Sequence, residues 1–367
     1  TGTKAGTAAG LAPEHEQLLR HSQQVLSDLF ARSPAIYWTD LLLSAGAGWA
    51  LVAVYFLAPA WSAAQILAFL VAGPLFYRAG TFIHEIVHMR RGEMIWFKRA
   101  WSLLIGIPLL APWVTYRSHA DHHNRRLFGT PRDGEYLPLA ASPPVELAKH
   151  LLQAPLLPLL LVVRFGILGP ISQLHPRLRE LVLTRFSAAV INPWYNARLS
   201  AGDRRQLLIM EWLCFCWLLL LATLLVAGVI SAAHLGMACL LLAWALTLNW
   251  VRNLAAHGYA NRAGEMTSLE QLRDSINITG QTWLTLWLFP VGLRYHALHH
   301  LLPTLPYHNM GKAHRRLLAT LPADSPYREV NRDNFFSTVA ELCSGAANTP
   351  PENSAMTFWR KSKTVCP

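Results

Sequence analysis

Four stretches of the chain carry almost no charged side chains: residues 41–59, 63–83, 213–230 and 235–251. Each approaches the roughly 20 apolar residues that an α-helix needs to cross a bilayer. The short gaps within each pair predict two helical hairpins, with turns near residues 59–64 and 231–234. Mostly polar sequence precedes the first run and the others recur deep in the chain, so none reads as a cleaved signal peptide.

Two further apolar stretches are interrupted. Residues 101–116 contain Pro108 and Pro112; residues 151–171 contain Pro155, Pro158, Gly166 and Arg164. Broken segments of this kind suit re-entrant or interfacial elements, where protein partners satisfy the freed backbone groups. A further pair of spans is the competing reading. Residues 14–32 predict an amphipathic surface helix, with Leu18, Leu19, Val25, Leu26, Leu29 and Phe30 as its apolar content.

Composition sharpens this pattern. The chain is 53% hydrophobic and 14% charged, against about a quarter charged in soluble domains. A formal charge of +11 would suit nucleic acid or an anionic membrane. The apolar runs decide for the membrane, and no nucleic-acid-binding motif is present. Lys and Arg are absent from residues 33–77 and 206–251, so basic charge lies on one side of both hairpins. The positive-inside rule makes that side cytoplasmic and places both termini there. The expected fold is an all-α integral membrane protein: four transmembrane helices in two hairpins with a helical cytoplasmic cap. Cys214, Cys216, Cys239, Cys343 and Cys366 do not form a disulfide framework, and their spacing matches no ferredoxin pattern.

The candidate chemistry lies in the histidines. His84 and His88 read HEIVH at the end of the second run. His119, His122 and His123 read HADHH; His296, His299 and His300 read HALHH. Residues three or four apart share a helix face, so the histidines of each motif can converge, as can Asn253 and His257 at the end of the fourth run. The sidedness of the hairpins gathers all of them at one membrane face. Nine imidazoles exceed the needs of one zinc ion and suit two ions of higher coordination; imidazole alone does not select the metal. HEIVH also has the outline of a zinc-protease motif with Glu85 as base, but that reading leaves both HxxHH motifs idle. A lone His257 would read as a helix-end residue. A membrane metal transporter or sensor is the non-enzymatic alternative. Transport calls for histidines at several depths, whereas here His234 alone lies near the opposite face.

HxxxH, HxxHH and HxxHH in this order across four predicted spans resemble the membrane fatty acid desaturase superfamily. "YRSHADHHNRRLFGTPRDGEY" resembles its second histidine box with a downstream acidic turn, and "YHALHHLLPTLPYHNM" its third. The resemblance covers roughly residues 37–321. It implies a non-haem di-iron centre with His84, His88, His119, His122, His123, His257, His296, His299 and His300 as ligands and Asn253, linked through water, as a further member of the metal site. Glu85, Asp121 and Asp133 are candidate partners for the ring N–H groups. The implied division is an amphipathic segment at 1–32, a desaturase-like catalytic domain at 33–345 and a polar, loosely ordered tail at 346–367.

By the same resemblance, O2 is the co-substrate and an unactivated C–H bond of a fatty acid or fatty acyl chain is attacked. Desaturation is the default outcome. Oxidative decarboxylation to a terminal alkene and hydroxylation are the alternatives. Trp113, Tyr116, Trp250, Trp283 and Trp287 are candidates for the walls of a substrate tunnel, with interfacial or packing roles as the alternative. Arg117, Arg125, Arg126, Arg252 and Arg294 lie near the motifs without an assigned role. Electrons are expected from an external ferredoxin, rubredoxin or cytochrome with its reductase. A bacterial inner membrane is favoured over the endoplasmic reticulum.

Overall fold

A computed structural model describes residues 13–262 and 264–362. The amphipathic N-terminal helix α1 (Pro13–Val25) is followed by a 3-10 turn at Ser27–Leu29. Its apolar face does not lie free on a surface: Leu18, Leu26 and Leu29 are buried against Leu272, Leu298 and Leu317. The first hairpin pairs α2 (Pro34–Leu57) with α3 (Ala63–His88). Ser62 caps α3 by accepting from Gln65 N at 3.2 Å.

The interrupted stretch at 101–116 is broken, as its prolines imply. Helix α4 (Ile95–Trp101) passes into a π-helical turn at Ser102–Gly106, and a 3-10 turn at Trp113–Ser118 leads into the single helical turn α5 (His119–His122). The stretch at 151–171 belongs to a longer element. Helix α6 (Pro144–Val163) continues through a π-helical turn into α7 (Gly169–Ser172), and α8 (Pro176–Arg185) follows.

The second hairpin is α9 (Ala201–Val226) with α10 (Ala232–Asn253). Its turn falls a few residues earlier than expected. Ser231 and His234 form a capping box, so His234 already belongs to α10. Its imidazole is thereby used at a helix end. Gly73 of α3 lets α10 approach closely: a Cβ there would lie 1.9 Å from the Trp244 ring.

Short elements build the cap: α11 (Ser268–Asp274), α12 (Thr282–Leu288), α13 (His296–Leu301), α14 (Tyr307–Thr320), α15 (Pro326–Glu329), α16 (Phe335–Ala347) and α17 (Ala355–Ser362). Two-residue strands β1 (Asn277–Ile278) and β2 (Asn331–Arg332) pair in parallel. The tail is not loosely ordered up to residue 361. Trp359 is fully buried with Met356 against Phe128 and Tyr136, and its Nε1 donates to Arg262 O at 3.0 Å. Buried apolar area outweighed the polar composition from which looseness was expected. Cys366 lies outside the described residues.

Among the described residues, five helices, not four, are long and apolar enough to cross a membrane: α2, α3, the α6–α7 run Pro144–Ser172, α9 and α10. The third of these differs from the others in its contacts. Near its start, Glu146 pairs with Arg360 and His150 stacks on Trp250, close to the end of α10. Near its finish, Arg164 pairs with Glu211, in the first half of α9. The chain then returns through α8, where Glu180 pairs with Arg204 near the start of α9.

Candidate metal centre

The histidine motifs arrive on separate elements. One helical face of α3 carries His84 and His88. Helices α5 and α13 bring the two HxxHH motifs, and His257 follows α10 in a loop. Backbone bonds fix that loop: Gly258 N donates to Asp274 O at 2.7 Å and Ile276 N to Ala256 O at 2.9 Å.

Together these elements make two quartets. His84, His88, His119 and His299 form the first; His122, His257, His296 and His300 form the second. Within each quartet the available ring nitrogens lie within 4.8 Å of one another. His123 stands outside this grouping, with its Nε2 2.9 Å from both His119 Nε2 and His299 Nε2. Asn253 is in neither quartet. It lines a small chamber of about 20 Å³ between them, with Tyr116, Arg252, His84, His122 and His296.

The donor set fits two metal ions. His257 Nε2 lies 3.2 Å from His122 Nε2 and 2.8 Å from His296 Nε2, and His300 Nε2 lies 3.1 Å from His296 Nε2. Neutral imidazoles have one acceptor nitrogen each, so clustered Nε2 atoms leave lone pairs turned toward a common centre. Buried ring nitrogens of His84 and His88 have no hydrogen-bond partner. Burial holds His119, His123, His296, His299 and His300 well below the ordinary imidazole range, and neighbouring rings add to the effect. Neutral rings are the form that binds metal.

Carboxylates orient three of the rings from behind. His119 Nδ1 meets Glu135 Oε1 at 2.6 Å, His122 Nδ1 meets Asp133 Oδ2 at 2.9 Å, and His257 Nδ1 meets Asp274 Oδ2 at 3.3 Å. Toward Asp133, which as an ionised carboxylate only accepts, His122 Nδ1 holds the proton and Nε2 faces the cage. Burial lowers His122, but Asp133, together with Glu135 and Asp274, more than offsets it and the net shift is upward. Glu135 is pushed up to about 7, chiefly by burial.

Of the three expected carboxylate partners, the structure brings Asp133 to a histidine. Asp121 instead accepts from Tyr195 OH at 2.7 Å, and Glu85 accepts from Tyr37 OH. Glu135 and Asp274 were missed. Glu135 was within reach, two residues beyond Asp133 in the acidic turn; Asp274 carries no local signal in the sequence.

Beside the first quartet an apolar cavity of about 260 Å³ opens between α3, α6 and α10. It reaches His84 and Asn253 and is walled by Leu109, Leu157, Leu161 and Phe165. Tyr116 and Trp250 line it; Trp113, Trp283 and Trp287 do not. Trp283 and Trp287 are exposed, and Trp113 packs against Val114 and Leu207. Arg252 lines both the cavity and the chamber. The other arginines near the motifs lie elsewhere. Arg117 pairs with Asp203 at 3.2 Å, and Arg294 donates to Ile278 O at 2.9 Å. Arg125 and Arg126 are on the exposed surface.

Comparison with known proteins agrees with this chemistry. Residues 59–331 match the sequence profile of the family described as fatty acid desaturase. A ceramide hydroxylase of Caulobacter vibrioides (strain NA1000 / CB15N) is 38% identical over 329 residues, covering 89% of this chain and 93% of that protein. No solved structure matches. The chain belongs to the fatty acid desaturase family and is an oxidoreductase of that family.

Proposed function

We propose that this chain is a membrane-bound, O2-dependent di-iron hydroxylase acting on the fatty chain of a ceramide-like lipid. The observation that carries this reading is an apolar cavity that reaches His84, a member of the first of two histidine quartets. Hydroxylation is favoured over the desaturation expected from the sequence because the relative that spans most of both chains is a ceramide hydroxylase. Desaturation is the second reading, supported by the family match. No observation favours loss of CO2 to give a terminal alkene.

The reaction balances as R–H + O2 + 2 e⁻ + 2 H⁺ → R–OH + H2O. Iron bound by the quartets would supply the oxidising power that side chains lack for an unactivated C–H bond. The protein's own part is positioning. Leu157, Leu161 and Phe165 would hold the chain away from water, while Tyr116 and Trp250 would fix its reacting end beside His84. Tyr116 is held by its hydrogen bond to Glu135 Oε2 at 2.7 Å. Electrons would come from an external ferredoxin, rubredoxin or cytochrome with its reductase.

The same reading assigns four spans, α2, α3, α9 and α10. The α6–α8 segment would re-enter from the cap side, consistent with its contacts at both ends. The distribution of Lys and Arg favours a cytoplasmic cap and termini, in a bacterial inner membrane.

The test is co-expression of the wild type or His299→Ala with a reductase system, supplied with ceramide or free fatty acid. Lipids are analysed by mass spectrometry. Gain of one oxygen in the wild type alone supports hydroxylation; loss of two hydrogens supports desaturation. Identical lipid profiles from both proteins would refute the enzymatic reading.

A further inference from the structure

Two arginines line the apolar cavity, and they differ in how their charge is met. Arg164 is buried and paired with the buried Glu211. Arg252 is only 7% exposed. Its Nη2 donates to Asn249 Oδ1 at 2.9 Å, and its guanidinium lies against the Tyr77 hydroxyl. Both partners are neutral. Its Nε has no hydrogen-bond partner, and among the described residues no carboxylate forms an ion pair with it, although Glu135 borders the same chamber and feels its charge.

A buried guanidinium without an ionic partner retains a large desolvation cost. Placement sharpens the point, because Arg252 borders both the apolar cavity and the chamber between the quartets. A strongly accepting oxygen entering the cavity would meet it at the end nearest the histidines.

Resting on the reading of the cavity as a fatty-chain site, we propose that Arg252 anchors the acyl carbonyl oxygen of the substrate. The oxygen accepts from the guanidinium while the tail extends past Trp250 toward Leu161 and Phe165. Arg252 is thus a positioning residue: it holds carbons close to the carbonyl beside the chamber and sets which C–H bond is presented. The carbonyl is supplied either by a free carboxylate or by the amide of a ceramide-like lipid, and both offer the same acceptor.

The test measures binding to the purified full chain without reductant, using decanoate, N-methyldecanamide and decane as probes. Loss of a charge-assisted hydrogen bond in Arg252→Met is expected to weaken a carbonyl-bearing probe by about tenfold or more. Decane, which has no acceptor, should bind as before. A loss confined to decanoate identifies a free acid; a loss that includes the amide identifies an amide-linked chain. Equal losses for all three probes, or none, would overturn the proposal.

Should Arg252→Met fail to fold, Arg252→Lys is read by the same carbonyl-to-decane ratio, since lysine keeps the charge but loses the planar fork. In turnover, the product of Arg252→Lys should spread to carbons farther from the carbonyl. An unchanged position of oxidation would also count against the proposal. A wild type that oxidises no lipid defeats the functional reading, while the binding ratio still tests Arg252.

Discussion

The two histidine quartets look alike in sequence and differ in what stands behind them. The second is backed by two buried carboxylates, Asp133 on His122 and Asp274 on His257, with side-chain exposures of 0% and 7%. Behind the first stands Glu135 alone, on His119 and 18% exposed. His84, His88 and His299 of that quartet keep buried ring nitrogens without partners, whereas His296 alone does so in the second. Outer partners fix ring orientation and raise ligand basicity. The second quartet is therefore the more fully supported from behind. The first lies beside the apolar cavity, which His84 lines.

This comparison can be broken most directly by deleting a ligand. His299→Ala should reduce iron toward one ion per chain and abolish lipid oxidation, by more than the roughly 100-fold upper range for an outer partner. Metal analysis beside lipid mass spectrometry reads both effects. Retention of two ions and full activity would contradict the assignment of His299 to the first quartet.

The carboxylates come next. Asp133→Asn and Asp274→Asn should each weaken metal retention by about 10–100-fold, because both hold a ligand ring from a buried position. Glu135→Gln should cost less, since its side chain is partly exposed. Chelator competition ranks the three. A larger loss for Glu135→Gln than for Asp133→Asn would reverse the proposed asymmetry.

A third effect reaches the second quartet at one remove. The Trp359 ring stacks on Tyr136 with centroids 6.3 Å apart, and Tyr136 OH donates to Asp274 at 3.1 Å. Trp359→Ala removes a fully buried indole and should lower stability by about 3–5 kcal/mol in thermal unfolding. In protein that remains folded, loss of iron should be partial and fall on the second quartet. Uniform loss from both would detach the tail from this comparison.

The smallest effect is expected at the far end of the second hairpin. Ser231→Ala removes the cap of α10 and should cost about 1 kcal/mol of stability. Iron content should not change. A loss of iron here would mean that the quartets depend on the whole hairpin and not on their local supports.

Much of the site was legible in the sequence because helical spacing is local. HEIVH places His84 and His88 on one face whatever surrounds them, and the nine expected histidines come close together, eight of them in the two quartets. Local spacing did not tell which histidines belong together. Each HxxHH motif is divided: His119 goes to the first quartet and His122 to the second, while His299 separates from His296 and His300. Adjacent or near-adjacent residues point in different directions around a short helix, so one motif can serve two centres. The aromatic tunnel was less legible. Tryptophans near the motifs share sequence position but not orientation, and only Tyr116 and Trp250 of the five face the cavity.

By itself, the sequence determined an apolar helical body, the sidedness of its charge and the gathering of histidines at one end. These follow from hydropathy and from a period of 3.6 residues, which need no distant partner. Tertiary structure decided how the nine rings divide, which carboxylates stand behind them and that Arg252 is buried without an acidic partner. It also decided that the polar tail is held in place, through Trp359. Each of these depends on contacts between residues far apart in the chain, such as Asp274 with His257 or Trp359 with Tyr136. Only packing brings such residues together.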